Sequence, residues 1–233
     1  MNNDETVIRY NIDELRKKIG KAAQKTGKKP EDVNIIAVTK TIEPERIIKA
    51  VDLGLKDLGE NRVQELCQKY DIISREINWH LIGHLQTNKV KYIIDKVKMI
   101  HSVDRLELAD EIQKRAAKAG RVIDVLIQVN IAEEESKFGL ARESTLAFIK
   151  QISSYGNIKV KGLMTIAPLV EDPEEIRYVF RELRKLLIDI REENIDNIDM
   201  DFLSMGMSND YEVAIEEGSN MVRIGTAIFG HRQ

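Results

Sequence analysis

Residues 34–40 read NIIAVTK, a short apolar run that stops on one lysine and passes directly into TIEPERIIKAV at 41–51. The run reads as a buried strand, and the same unit of apolar run, polar joint and amphipathic stretch then returns along the chain. The later runs are KDLGEN (56–61), NWHLIGH (78–84), MIHSVD (99–104), IDVLIQVN (123–130), VKGLMTIA (160–167), DFLSMG (201–206) and MVRIGT (221–226). The stretches between them read as helices, most clearly at 173–193, where Ile176, Val179, Phe180, Leu183, Leu187 and Ile190 share one side. Near-continuous apolar strands alternating with helices argue for parallel pairing covered on both faces. Eight such units argue for a closed (β/α)8 TIM-type barrel rather than an open sheet.

The flanking sequence fits a single domain over 1–233, with an extra N-terminal helix and connection at 1–30 and the barrel at 31–233. Ile12, Leu15, Ile19, Ala22 and Ala23 recur at helical spacing, and TGKKP (26–30) ends that helix. At 233 residues the chain is long enough for one barrel, and no linker or composition break divides it. The formal net charge of −3 gives no general attraction to nucleic acid or to an anionic membrane. The opening MNNDETVIRYNIDELRKK lacks the apolar core of a secretion signal, and no stretch is apolar enough to cross a bilayer, so a cytoplasmic protein is expected. Cys67 is the only cysteine and excludes an intrachain disulfide. Its spacing with Val63, Leu66 and Tyr70 reads as packing.

A barrel of this kind carries its site at the C-terminal ends of the strands. Lys40, Asn61, His84, Asp104, Asn130, Ser204 and Arg223 stand at or near such ends. Asp104 and Asn130 read as ordinary strand-end residues, Asp104 as a helix cap. Closure sets the first strand beside the eighth, so Lys40 and Arg223 become neighbours. A partly desolvated lysine is a nucleophile toward aldehydes. LSMGMSND (203–210) and GTAIFG (225–230) follow the last two strands, where barrels often bind phosphate; they offer Ser204, Gly206, Met207, Ser208, Gly225 and Thr226. Amine, phosphate cradle and ring-facing arginine converge on an aromatic aldehyde carrying a phosphate, of which pyridoxal 5'-phosphate (PLP) is the common example.

Other features carry less. HLIGH (80–84) has the i, i+4 histidines of a zinc helix without its glutamate and lies in a strand, so no metal is expected. His80, His101 and His231 read as ordinary polar or packing residues, Glu60 as the one strand-end carboxylate with a possible partner, a lone pairing that carries little for acid/base work, and Lys137 as a solvated loop lysine.

The blocks AVTKTIEPERI, LGENRVQE, WHLIGHLQTNK, HSVD, VNIAEEESKFG, GLMTIAP and LSMGMSNDYEVAIEEGSNMVRIGTAIFG, in that order, resemble the pyridoxal phosphate homeostasis protein family, related to the N-terminal barrel of alanine racemase. The resemblance implies PLP held as a Schiff base on Lys40, Arg223 facing the pyridine nitrogen, and Ser204, Gly225 and Thr226 on the phosphate. Asn61 would lie by the ring, His84 near the pocket, and Gly206 and Met207 in the loop after the seventh strand. It implies a monomeric PLP carrier or regulator, acting in storage or delivery to apo-enzymes and in amino-acid and keto-acid balance. Alanine racemase draws a second base from a further domain, and with the chain ending at Gln233 none is expected here. The alternative is a single-domain PLP-dependent amino-acid racemase using a base such as His84 or Tyr211. A third reading is a barrel that binds another phosphate ester noncovalently, with Lys40 as a plain charge.

Overall fold

The computed structural model describes residues 3–134 and 137–230. Helix α1 (Asn3–Gln24) precedes eight strands and their connections. These run β1 (Asn34–Val38), α2 (Pro44–Asp52), β2 (Asp57–Glu60), α3 (Val63–Ile72), β3 (Asn78–Leu81), β4 (Val97–Val103), α4 (Leu106–Lys118), β5 (Ile123–Gln128), α5 (Arg142–Ile152), β6 (Ile158–Met164), α6 (Arg177–Glu192), β7 (Ile198–Ser204), α7 (Tyr211–Glu216), β8 (Met221–Ile224) and α8 (Thr226–Phe229). All neighbouring strands pair in parallel, and β1 closes on β8 through Asn34–Met221, Ile36–Arg223 and Ala37–Ile224, giving a closed (β/α)8 barrel. The connection from β3 to β4 departs from the pattern, with a 3₁₀ helix at Thr87–Tyr92 in place of an α-helix. No helix of the described residues is long and apolar enough to cross a membrane.

Side chains alternate along each strand. One parity faces the surrounding helices and joins the main core, as with Ala37, Leu58, Trp79, Leu81, Ile100, Leu203, Val222 and Ile224. The other parity fills the barrel with Ile36, Ile82, Met99, Leu126, Met164 and Met221. Gly59 takes an inward position on β2, where a Cβ would stand 2.8 Å from Ile36 and 2.9 Å from Ile82. A side chain there would overfill the interior.

The N-terminal helix covers the seam where the barrel closes. Its apolar face, Ile8, Ile12, Leu15, Ile19, Ala22 and Ala23, is buried, and it packs on α7, α8 and α2. The Asn11 side chain donates to the Ile228 carbonyl at 3.0 Å. Arg46 on α2 donates to Asp4 at 3.0 Å and to the Phe229 carbonyl at 2.7 Å. The short closing helix α8 is thus pinned by α1 and α2 together.

Two local expectations are corrected. Tyr70 is exposed rather than packed beside Cys67, because α3 turns Val63, Leu66 and Lys69 inward and leaves Tyr70 on its outer side. Asp104 does not cap α4; its carboxylate accepts from Arg105 at 2.7 Å, and Arg105 occupies the cap position. His231 lies outside the described residues.

Candidate functional site

At the C-terminal mouth of the barrel a cavity of about 360 Å³ opens between the loops, within the range of small-ligand sites. Lys40, Asn61, Met207, Arg223, Gly225 and Thr226 all line it. Strand parity explains the placement of the two cations: Lys40 continues the inward series Ile36, Val38, and Arg223 follows Met221.

Lys40 sits half-buried on a turn that is firmly held. The next residue, Thr41, has φ 63°, a left-handed conformation that is rare for a β-branched residue. Its amide donates to Glu65, and the Thr39 hydroxyl donates to Glu60 at 2.6 Å. Behind them lies Lys69, buried, whose ammonium donates to the Thr39 carbonyl at 2.6 Å and to Glu60 and Glu65 at 2.7 Å each. Burial pushes the Glu60 carboxyl up, against the hydrogen bonds from Lys69 and Thr39. The clamp is invisible in sequence because Lys69 stands on an otherwise polar turn of α3.

Arg223 forms the cavity's cationic wall at 4% exposure. Its Nη1 donates to Ser204 Oγ at 2.7 Å and its Nη2 to the Thr165 carbonyl at 2.8 Å. Burial lowers its pKa to about 10, so it remains a cation at neutral pH. Asp210 lines the same cavity; burial raises its carboxyl, opposed by the hydrogen bond from the Met207 amide and by the Arg223 charge.

The loops after β7 and β8 meet beside this pair. Ser208 and Thr226 bring hydroxyls to the cavity, and the Ala227 amide points to Ser208 Oγ at 3.4 Å. Val38, Ile82 and Ile166 supply apolar walls. An amine, a fixed guanidinium and small polar groups around an apolar slot can receive a flat anionic ring bearing an electrophile.

Three residues anticipated at the site stand elsewhere. The Ser204 hydroxyl is wholly buried beneath Arg223, bonded to it and to His101, because as the last residue of β7 it faces into the barrel. Gly206 shapes the loop instead of lining the cavity. Its φ is 91°, a Cβ there would lie 2.7 Å from Ala214 Cβ, and its carbonyl accepts from the Arg223 amide at 3.0 Å. His84 stacks on Phe138 with ring centroids 3.8 Å apart and pairs with Asp104 at 4.0 Å, outside the cavity walls. Lys137 is exposed, 3.9 Å from Glu134. His80 and His101 are not isolated packing residues: their rings meet at 3.0 Å inside the barrel.

The model of the alanine racemase N-terminal domain family matches residues 8–233. A pyridoxal phosphate homeostasis protein from Aquifex aeolicus is 47% identical, over 95% of this chain and 97% of its own. The structure of PipY from Synechococcus elongatus, described with PLP bound, superposes with a TM-score of 0.84 at 31% identity, covering 96% of this chain and 100% of that one. Alanine racemase from Corynebacterium glutamicum shares the fold, with a TM-score of 0.76 at 15% identity over 98% of this chain and 62% of that one. With the barrel, the cavity and these matches in agreement, the chain belongs to the pyridoxal phosphate homeostasis protein family.

Proposed function

We propose that this chain binds PLP, holds it as a Schiff base on Lys40, and acts in intracellular PLP homeostasis by storing the cofactor or passing it to apo-enzymes. Balance of amino and keto acids would follow from that supply. One observation carries the reading: Lys40, Arg223, Ser208 and Thr226 meet at a single cavity.

The donor set fits the cofactor. The Lys40 amine would condense with the aldehyde with loss of water. The Arg223 guanidinium, a donor only, would face the pyridine nitrogen. Ser208, Gly225 and Thr226 would take the phosphate, and a Cβ at Gly225 would stand 3.4 Å from the Val38 carbonyl oxygen. Asn61, Ile82 and Ile166 would border the ring. When bound, PLP supplies the electrophilic aldehyde and the conjugated ring; the protein supplies binding and orientation.

A carrier is favoured over a racemase by where the candidate second bases lie. Neither Tyr211 nor His84 lines the cavity, and burial raises the Tyr211 phenol well above its ordinary range. The deciding measurement is an absorbance spectrum before and after borohydride, with peptide mapping and Lys40→Ala in parallel. A yellow band fixed onto the Lys40 peptide and lost in the variant is expected. A protein that stays colourless with added PLP would overturn the reading. Rapid Lys40-dependent exchange of solvent deuterium at the Cα of an amino acid would replace the carrier with an enzyme.

A further inference from the structure

The barrel interior holds an unbroken line of polar side chains that the cavity alone does not explain. Asp57, the first residue of β2, lies at the end of the barrel away from the mouth and is partly exposed. Its carboxylate is 2.9 Å from His80 Nε2; His80 Nδ1 is 3.0 Å from His101 Nε2; His101 Nδ1 is 3.1 Å from Ser204 Oγ; and Ser204 Oγ accepts from Arg223 at 2.7 Å. His80, His101 and Ser204 are 2%, 0% and 0% exposed. The imidazole rings stand edge to face at 81°.

Donors and acceptors assign every proton in this line. At one end the guanidinium can only donate, so Ser204 Oγ accepts from it and keeps its O–H for His101 Nδ1. At the other end the Asp57 carboxylate only accepts, so His80 Nε2 carries hydrogen. In neutral rings His80 Nδ1 then accepts from His101 Nε2–H, and all the hydrogen bonds point the same way, from Arg223 toward Asp57. Burial holds both imidazoles below their ordinary range, in keeping with neutral rings. Asp57 is also approached by the Asn78 amide at 3.1 Å and by Lys98 at 3.8 Å, which keep it charged.

We propose that Asp57, His80, His101 and Ser204 form a one-way hydrogen-bond relay that positions Arg223 as a fixed donor toward an unprotonated ring nitrogen in the cavity. Asp57, four hydrogen bonds away at the opposite end of the barrel, sets the direction of the relay. These are positioning residues: of the five side chains in the line, Arg223 is the one that lines the cavity. The proposal rests on the PLP reading for the identity of the ring but not for the proton arrangement, which belongs to the protein itself.

The test has two arms. Nitrogen-15 NMR of histidine side chains in the ligand-free protein reads the tautomers directly; both His80 and His101 are expected neutral with hydrogen on Nε2. A His101 protonated on Nδ1, or a charged His80, would overturn the relay whether or not PLP binds. Asp57→Asn, whose amide can present either a carbonyl or an N–H to His80, is expected to yield mixed tautomers. It should also weaken PLP binding roughly three- to tenfold, the scale of one hydrogen bond, and move the absorbance maximum of the bound cofactor, with Asp57→Glu restoring both. Unchanged tautomers and spectrum in a folded Asp57→Asn would overturn the proposal. Borohydride fixation of PLP on Lys40 in that same variant shows separately that the cofactor reading stands, and failure of wild type to take up PLP would sink that reading while leaving the NMR arm to judge the relay.

Discussion

Single residues at this site are controlled by neighbours that never enter the cavity. Lys40 is presented by a turn held by Lys69 on the Thr39 carbonyl, by Glu65 on the Thr41 amide and by Glu60 on the Thr39 hydroxyl. Lys69 and Glu60 are both buried, and Glu60 Oε2 has no hydrogen-bond partner among the described residues. Removing the ammonium would leave a buried carboxylate uncompensated. Lys69→Met is therefore expected to cost about 3–5 kcal/mol in urea denaturation, and to slow attachment of PLP to Lys40 because Thr39 and Thr41 lose their anchor. Full stability in that variant would show that the clamp is idle.

At the scale of elements, the strand ends set the site and their loops shape it. The β7–α7 loop reverses within a few residues because Gly206 adopts φ 91° against Tyr211 and Ala214. An added methyl group faces both a strained backbone and a 2.7 Å contact. Gly206→Ala should destabilise the fold by about 1–3 kcal/mol and loosen the phosphate side of the cavity, seen as weaker binding of PLP with the Lys40 peptide still modified at saturation. The β3–β4 connection shows the opposite freedom. It replaces an α-helix by a 3₁₀ turn and still buries Val90, Ile93 and Ile94 over the barrel.

For the whole molecule, the polar line through the barrel couples stability to pH. Both histidines have folded-state pKa values below the ordinary 6.5, chiefly through burial; for His101 the Arg223 charge adds to it, and for His80 Asp57 opposes it. In the unfolded chain they take up protons near 6.5, so below that pH the unfolded state binds more. Stability is then fully present above pH 6.5 and falls as the solution is acidified through it, by up to about 1.4 kcal/mol per pH unit for each histidine. Denaturation midpoints from pH 8 down to about 5 check this. His101→Asn, which cannot titrate, should be less stable at neutral pH and show a shallower slope; an equal slope would mean that His101 is not buried neutral.

The succession of eight apolar runs, the amphipathic N-terminal helix, and the two cations at strand ends were all legible along the chain, because strand and helix periodicities and strand-end polarity are local properties. So was the convergence of Lys40 and Arg223, since closing the barrel makes the first strand the neighbour of the last. What only the tertiary structure decided is the direction each side chain faces. Strands buried on both faces are apolar at both parities, so nothing local distinguishes inward His80, His101 and Ser204 from outward Thr39 and Glu60. For that reason Ser204 reads from sequence as a phosphate ligand and stands in the structure beneath Arg223, and two histidines without a motif form the middle of a chain across the barrel. Hydrogen-bond partners in a closed barrel come from strands far apart in sequence, and only the register of all eight fixes which of them meet.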